Sequence, residues 1–265
     1  MDSNLSPGIS LEPSLSFHNA DLKIKWAAEG LNYLNTICED FIKSKPYVVR
    51  SDPDAAGTGQ VLHVGLTQPI PPEINLLAGD IVGNLRSALD FAWMGLVRSL
   101  AKTGTKPDKL TLPIGNDRKG LKGTIAQSLV GKAFKKQTES LLVDRIKSHR
   151  DLADGGNESL VALNDLSNWN KHNLLIITLG QTGFSGSFGG IRHMSNNAFI
   201  GNVRGVIRWS GSTGLDLDHD NEPTCQIVFG GHEIVKHKPV IPTLANFCLM
   251  CGESLDLFRQ EFGRT

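Results

Sequence analysis

Residues 79–93 read Gly79-Asp80-Ile81-Val82-Gly83-Asn84-Leu85-Arg86-Ser87-Ala88-Leu89-Asp90-Phe91-Ala92-Trp93. The stretch lies within a longer apolar line, Ile74, Leu77, Ile81, Leu85, Ala88, Ala92, Leu96 and Leu100, at three- and four-residue spacings, which predicts one long helix opened by Pro71-Pro72-Glu73 and closed by Thr103-Gly104-Thr105. Asp80, Asn84, Arg86 and Asp90 interrupt that line in mid-helix. Arg86 and Asp90 are four apart, so they share a face and can pair. The plain reading is an ion pair that fixes helix packing. The functional reading is a guanidinium offered to an anion.

Working outward, the spacing of Leu31, Leu34, Ile37, Cys38, Phe41 and Ile42 predicts a first helix from about Asn19 to Lys45-Pro46. Tyr47 to Arg50 and Val61 to Leu66, with turn chemistry between them, predict a hairpin. Leu110 to Ile114 reads as an extended stub, Lys119 to Lys136 as helix and loop, and Lys136 to His149 as a helix. Asp151 to Asn157 reads as a loop. A further helix then carries Leu160, Leu163, Leu166 and Ser167 inward and runs through Asn168-Trp169-Asn170-Lys171-His172. Leu174 to Leu179, Phe199 to Val203, Val206 to Trp209 and Cys225 to Phe229 predict antiparallel strands, and Pro242 begins a last helix. The fold class expected is α+β: a helical bundle with an antiparallel sheet inserted before the C-terminal helix. The boundaries read as a tail at 1–18, a helical domain with its hairpin at 19–180, a β region at 181–241 and the last helix at 242–265.

Composition narrows the function classes. The 265 residues carry 27 basic and 27 acidic side chains, so nucleic acid would have to be gripped by a local patch and not by the global field. Arg118, Lys119, Lys122, Lys132, Lys135 and Lys136 form the one local basic stretch, which reads either as that patch or as a solvated helix face. Aromatics at 6% supply few stacking platforms. No apolar run approaches a membrane span, the N-terminus lacks the pattern of a secretory signal, and four cysteines read as reduced thiols, so a cytoplasmic protein is expected. Cys248 and Cys251 form a C-x-x-C, but within an apolar helical pattern they read as core thiols. Asp216, Asp218 and Asp220 lack the glycine and closing glutamate of a calcium loop, and a metal pair at His232 and His237 is the weaker reading. Neither a metal nor a cofactor is expected.

The segment from Gly79 to Asp90 resembles a helix of uncharacterised bacterial and phage-borne proteins that reads G-D-x-x-x-N-L-R-S-A-L-D-H. Leu112-Pro113-Ile114 is similar to their F-P-I-like stub, and Leu163, Leu166 and Asn170-Lys171-His172 to their L-x-x-L-x-x-x-D-K-H element. The R-x4-H spacing is similar to the signature of the HEPN superfamily, helical bundles that include metal-independent endoribonucleases of toxin–antitoxin and phage-defence systems. The resemblance implies RNA as a partner, a homodimer with a shared cleft, and a place in such defence systems. Whether a neighbouring gene supplies a partner stays open.

This chain departs from the signature at one position: Arg86 stands at the arginine, but Phe91 at the histidine. Metal-free RNA cleavage needs a base for the ribose 2′-hydroxyl, an acid for the leaving oxygen and a cation for the phosphate. Arginine suits only the last role. General acid–base help is worth about 10²–10⁴ in rate, and phenylalanine supplies none. A substitute is available in the sequence. Asp165, Asn168 and His172 share a polar stripe, so Asp165 could orient His172 while Arg86 and Lys171 hold phosphate. The plainer reading of His172 is a helix-end histidine favoured by the dipole. The candidate set is therefore Arg86, His172, Asp90 and Asp165 for catalysis, and Asn84, Asn168 and Lys171 for substrate. Three readings stand: an RNA-binding or scaffold protein with a degenerate site, an active ribonuclease using Arg86 and His172, or a structural protein-interaction module.

Overall fold

The computed structural model describes residues 17–53, 59–100, 111–188, 191–194, 198–200, 205–210 and 222–263. Helix outweighs strand, and the strands form two small antiparallel sheets, an α+β arrangement. The expected closing turn at Thr103-Gly104-Thr105, the connector with Asp216, Asp218 and Asp220, and most of the N-terminal tail lie outside the described residues. Phe17, expected in that tail, is instead buried, its ring 6.4 Å from that of Phe258.

Chain order runs α1 (His18–Lys43), β1 (Tyr47–Pro53), β2 (Gly59–Leu66), α2 (Pro72–Leu100), α3 (Arg118–Gln127), α4 (Lys135–Glu139), α5 (Glu158–Asn170), β3 (Ile177–Phe188), β4 (Ile191–Met194), β5 (Ala198–Ile200), β6 (Gly205–Ser210), β7 (Glu222–Phe229) and α6 (Val240–Phe262). Lys45, in the left-handed region at φ 51°, closes α1 immediately before Pro46, where the missing proline N–H would end a helix in any case.

The chain divides into two compact units. One holds residues 1–28, 82–167 and 246–265, the other residues 29–81 and 168–245. These units do not coincide with the boundaries read from sequence texture, because residues of α1 and α2 are shared out between them. In the first unit, Val82, Leu85, Ala88, Leu89, Ala92, Trp93 and Leu96 of α2 are all buried, a wider face than one amphipathic stripe supplies. Phe247, Cys251, Leu255 and Phe258 keep the expected spacing on α6 and are buried in the same unit.

The second unit contains both sheets. In one, β2 pairs with β1 in the expected hairpin, Tyr47 opposite Leu66, and its other edge takes β6, with Leu62 opposite Ile207. In the other, the long β3 pairs with β7 along one edge and with β4 and β5 along the other. The single sheet expected before α6 is therefore two. The strand at Val206 to Trp209 leaves its sequence neighbours to satisfy the open edge of the hairpin, a choice that alternation does not encode.

The helix expected over 136–149 is also different. After α4 the chain widens into a π turn over Ser140–Arg145, with Ile146 N donating to Leu141 O at 2.9 Å. Leu141, Leu142 and Val143 are consecutive and all buried, a pattern that an amphipathic α-helix with one inward face does not accommodate. Lys147 at φ 58° then ends the turn. The following loop is pinned at Gly156, where a Cβ would lie 2.3 Å from the His149 carbonyl oxygen. Asn157 caps α5: its Oδ1 accepts from Leu160 N at 3.0 Å while its Nδ2 donates to Ile146 O at 3.3 Å. Replacing it, Asn157→Ala, is expected to cost about 1–2 kcal/mol, read as a lower urea midpoint with an unchanged denaturant slope.

Candidate functional site

Arg86 sits on the buried part of α2 and is 8% exposed. A guanidinium out of water needs its charge balanced and its N–H groups occupied. Nη1 lies 2.6 Å from Asp90 Oδ1, an ion pair of close approach but poor hydrogen-bond alignment. Nη2 donates to the Leu112 carbonyl oxygen at 3.1 Å, and Nε donates to Asn164 Oδ1 at 3.2 Å. Asp90 in turn accepts from Leu112 N at 2.8 Å. Arg86 and Asp90 thus grip both polar groups of one peptide residue, and the stub that holds Leu112 is fastened to α2. Burial pulls the guanidinium's pKa down from the ordinary arginine value, and Asp90 pushes it back up. It remains a cation.

The network continues outward along α5. Asn164 Nδ2 donates to Asp165 Oδ1 at 3.2 Å. Arg150 meets the same carboxylate in bidentate fashion, Nη1 to Oδ2 at 2.7 Å and Nη2 to Oδ1 at 2.6 Å, which raises the Arg150 pKa chiefly through those bonds. A polar chain therefore leads from Asp90 through Arg86, Asn164 and Asp165 to Arg150, from the interior of the first unit to its surface. Three of the candidate catalytic residues, Arg86, Asp90 and Asp165, belong to it.

Asn164 and Arg150 complete the chain, and neither stands out in the sequence by the patterns used above. Asn164 was legible in principle: it lies four residues after Leu160 and three before Ser167, a lone amide on the apolar side of its helix. Arg150 sits in the loop after the π turn and carries no local signal.

The remaining candidates fall elsewhere. His172 lies beyond the end of α5, its N–H donating to Trp169 O at 3.1 Å, so the helix expected to carry it stops two residues short. Lys171 Nζ donates to Asn168 Oδ1 at 3.1 Å. These three residues belong to the second unit, whereas Arg86, Asp90 and Asp165 belong to the first. The helix expected to carry the stripe from Asp165 to His172 ends at Asn170, and the Asp165 carboxylate is engaged by Arg150.

Asn84 and Phe91 lie on another face of α2. Together with Asn19, Leu22, Lys23 and Trp26 of α1 they line a groove of about 490 Å³. Lys23 Nζ donates to Asn84 Oδ1 at 2.8 Å across it. Of the basic stretch, Arg118 pairs with Asp144, Lys122 pairs with Glu139 at 2.9 Å, and Lys135 donates to the Ala126 carbonyl oxygen. Lys119, Lys132 and Lys136 are exposed.

Cys248 and Cys251 are both free thiols, and Cys251 is buried, its Sγ donating to Leu85 O at 3.7 Å. Burial raises both thiols above the ordinary cysteine value, most strongly at Cys251. Among the described residues no group of three or more His, Cys, Asp or Glu side chains is placed to hold a metal ion, and no helix is long and apolar enough to cross a membrane. No family model, curated protein or solved structure matches the chain.

This geometry sets two expected outcomes. Arg86→Leu leaves the partly buried Asp90 without its cation and is expected to cost about 2–4 kcal/mol, of which Arg86→Leu with Asp90→Asn recovers part, as measured in a double-mutant cycle by denaturant unfolding. The thiols report separately. Burial raises the pKa of Cys38 and Cys225 to about 12 and leaves Cys248 and Cys251 raised as well, so every thiolate fraction is lowered at pH 8. A thiol-reactive chromophore at that pH should label the native protein more slowly than free cysteine, with no fast phase.

Proposed function

We propose that this chain is a HEPN-like binding scaffold whose ribonuclease site is degenerate. One observation carries the reading: the Arg86 guanidinium is spent on Asp90, Asn164 and the Leu112 carbonyl inside the first unit. An arginine that serves a scissile phosphate must present N–H groups to it. Nε and Nη2 of Arg86 donate to protein oxygens and Nη1 is ion-paired with Asp90, and exchanging these contacts for phosphate would strand Asp90 beside an open stub. Phe91, which lines the groove where the resembling proteins carry histidine, offers no proton acceptor. The resemblance supplies the family, and the buried clamp supports the loss of catalysis within it.

In this reading RNA is a weak, electrostatic partner. Lys119, Lys132 and Lys136 are exposed and, unlike the equally exposed Lys122 with its Glu139 partner, carry no ion pair among the described residues; three phosphate contacts give a slope of log affinity against log salt of about −2 for single-stranded RNA.

The test is incubation of the purified protein with mixed RNA in EDTA. The expected outcome is no new ends bearing 2′,3′-cyclic phosphate, together with binding that fades between low and physiological salt. Cleavage that disappears in Arg86→Ala and in His172→Ala would overturn the reading in favour of an active enzyme. Neither cleavage nor salt-sensitive binding would leave a protein-interaction module.

A further inference from the structure

We propose that the groove between α1 and α2 in the first unit is a docking site for an acidic, amphipathic segment of a partner protein. The inference goes beyond the scaffold reading and holds whatever the fate of RNA. Leu22 and Trp26 stand four residues apart on α1, so they share a face, and they are 51% and 66% exposed. Large apolar side chains exposed side by side next to a concave surface are what interaction sites look like. Phe91 forms the apolar part of the α2 side. A tryptophan at the rim of such a groove is the residue type that most often dominates binding energy.

Charge then selects the occupant. The lining residues include one cation, Lys23, whose ammonium is positioned over the groove by its 2.8 Å hydrogen bond to Asn84 Oδ1, and no carboxylate. A second groove on the other side of Leu22 differs in this respect: its Asp21 and Asp256 are both paired with Arg259. A second copy packed face to face would set Lys23 against Lys23, a like-charge contact. A nucleic acid would meet a single cation among apolar side chains, too few for backbone neutralisation. A peptide helix with leucine or phenylalanine at i and i+4 and glutamates on its flank satisfies both the apolar floor and Lys23.

The experiment uses the full chain and three fluorescein-labelled probes read by anisotropy: a sixteen-residue helical peptide (roughly four turns) with Leu and Phe on one face and Glu on the flanks, the same peptide with Lys for Glu, and a uridine oligonucleotide of the same length. The acidic peptide should bind at least about tenfold more tightly than the other two. Trp26→Ala should weaken it by about tenfold or more, and Lys23→Glu should reverse the preference between the acidic and basic peptides. Trp26 is exposed, so its variant is expected to fold, and thermal unfolding verifies this. Equal binding of both peptides, binding of the acidic peptide unchanged in Trp26→Ala, or a preference for the oligonucleotide that Trp26→Ala abolishes would overturn the proposal. So would a dimer in sedimentation that Trp26→Ala converts to monomer, since the groove would then be covered by a second copy.

Discussion

A guanidinium buried in the apolar face of a helix sets the terms for the first unit. Its five N–H groups and its charge cannot be left to water, and the surrounding chain is arranged to answer them: a carboxylate one turn along the same helix, a side-chain amide from α5, and a backbone carbonyl from the stub after α2. Such a pair is weak evidence for net stability, because desolvation offsets much of the Coulomb gain. Its value lies in specificity. An apolar side chain at position 86 could pack against many neighbours, whereas a guanidinium demands this particular set. Leu112 is held at both its N–H and its C=O, which fixes the register of the stub against α2.

The same network shapes the chain between the stub and α5. The stub holding Leu112 is tied to the loop after the π turn, with Gly115 N donating to Ser148 O at 2.9 Å and Arg150 N to Gly115 O at 3.0 Å. The Arg150 side chain reaches Asp165, and Asp165 returns to Arg86 through Asn164. The polar residues are thus linked in a circuit that joins α2, the stub, the loop and α5. Anion recognition and this architectural role compete for the same N–H groups, and the architecture holds Nε and Nη2. That competition is the physical reason for reading the departure at Phe91 and the placement of Arg86 together.

Much of the fold was legible because long helices advertise themselves. The three/four spacing of Leu34, Cys38 and Phe41, of Leu85, Ala88, Ala92 and Leu96, and of Phe247, Cys251, Leu255 and Phe258 marked residues that the structure buries. The turn chemistry between β1 and β2 gave the hairpin. Periodicity failed where neighbours decide: consecutive Leu141, Leu142 and Val143 demanded a wider winding, and β6 joined the hairpin through an edge that no local pattern names. At the candidate site, the Arg86–Asp90 pair was readable from its four-residue spacing. Asn164 and Arg150, which decide what that pair is for, reach it from far along the chain: the spacing of α5 puts Asn164 on the apolar side of its helix but does not name its partner, and Arg150 carries no local signal at all. His172 was misplaced by a smaller error, the last turn of a helix that ends at Asn170.

The central claim is that Arg86 is an interior structural cation, and the most direct measurement is the hydrogen exchange of its Nε–H by NMR. Held to Asn164 and screened from solvent, this proton should give a resolved signal that exchanges far more slowly than an exposed arginine, and it should not move when single-stranded RNA is added. A signal lost to rapid exchange, or one that shifts as RNA is titrated in, would contradict the account and return Arg86 to the role of an anion-binding residue.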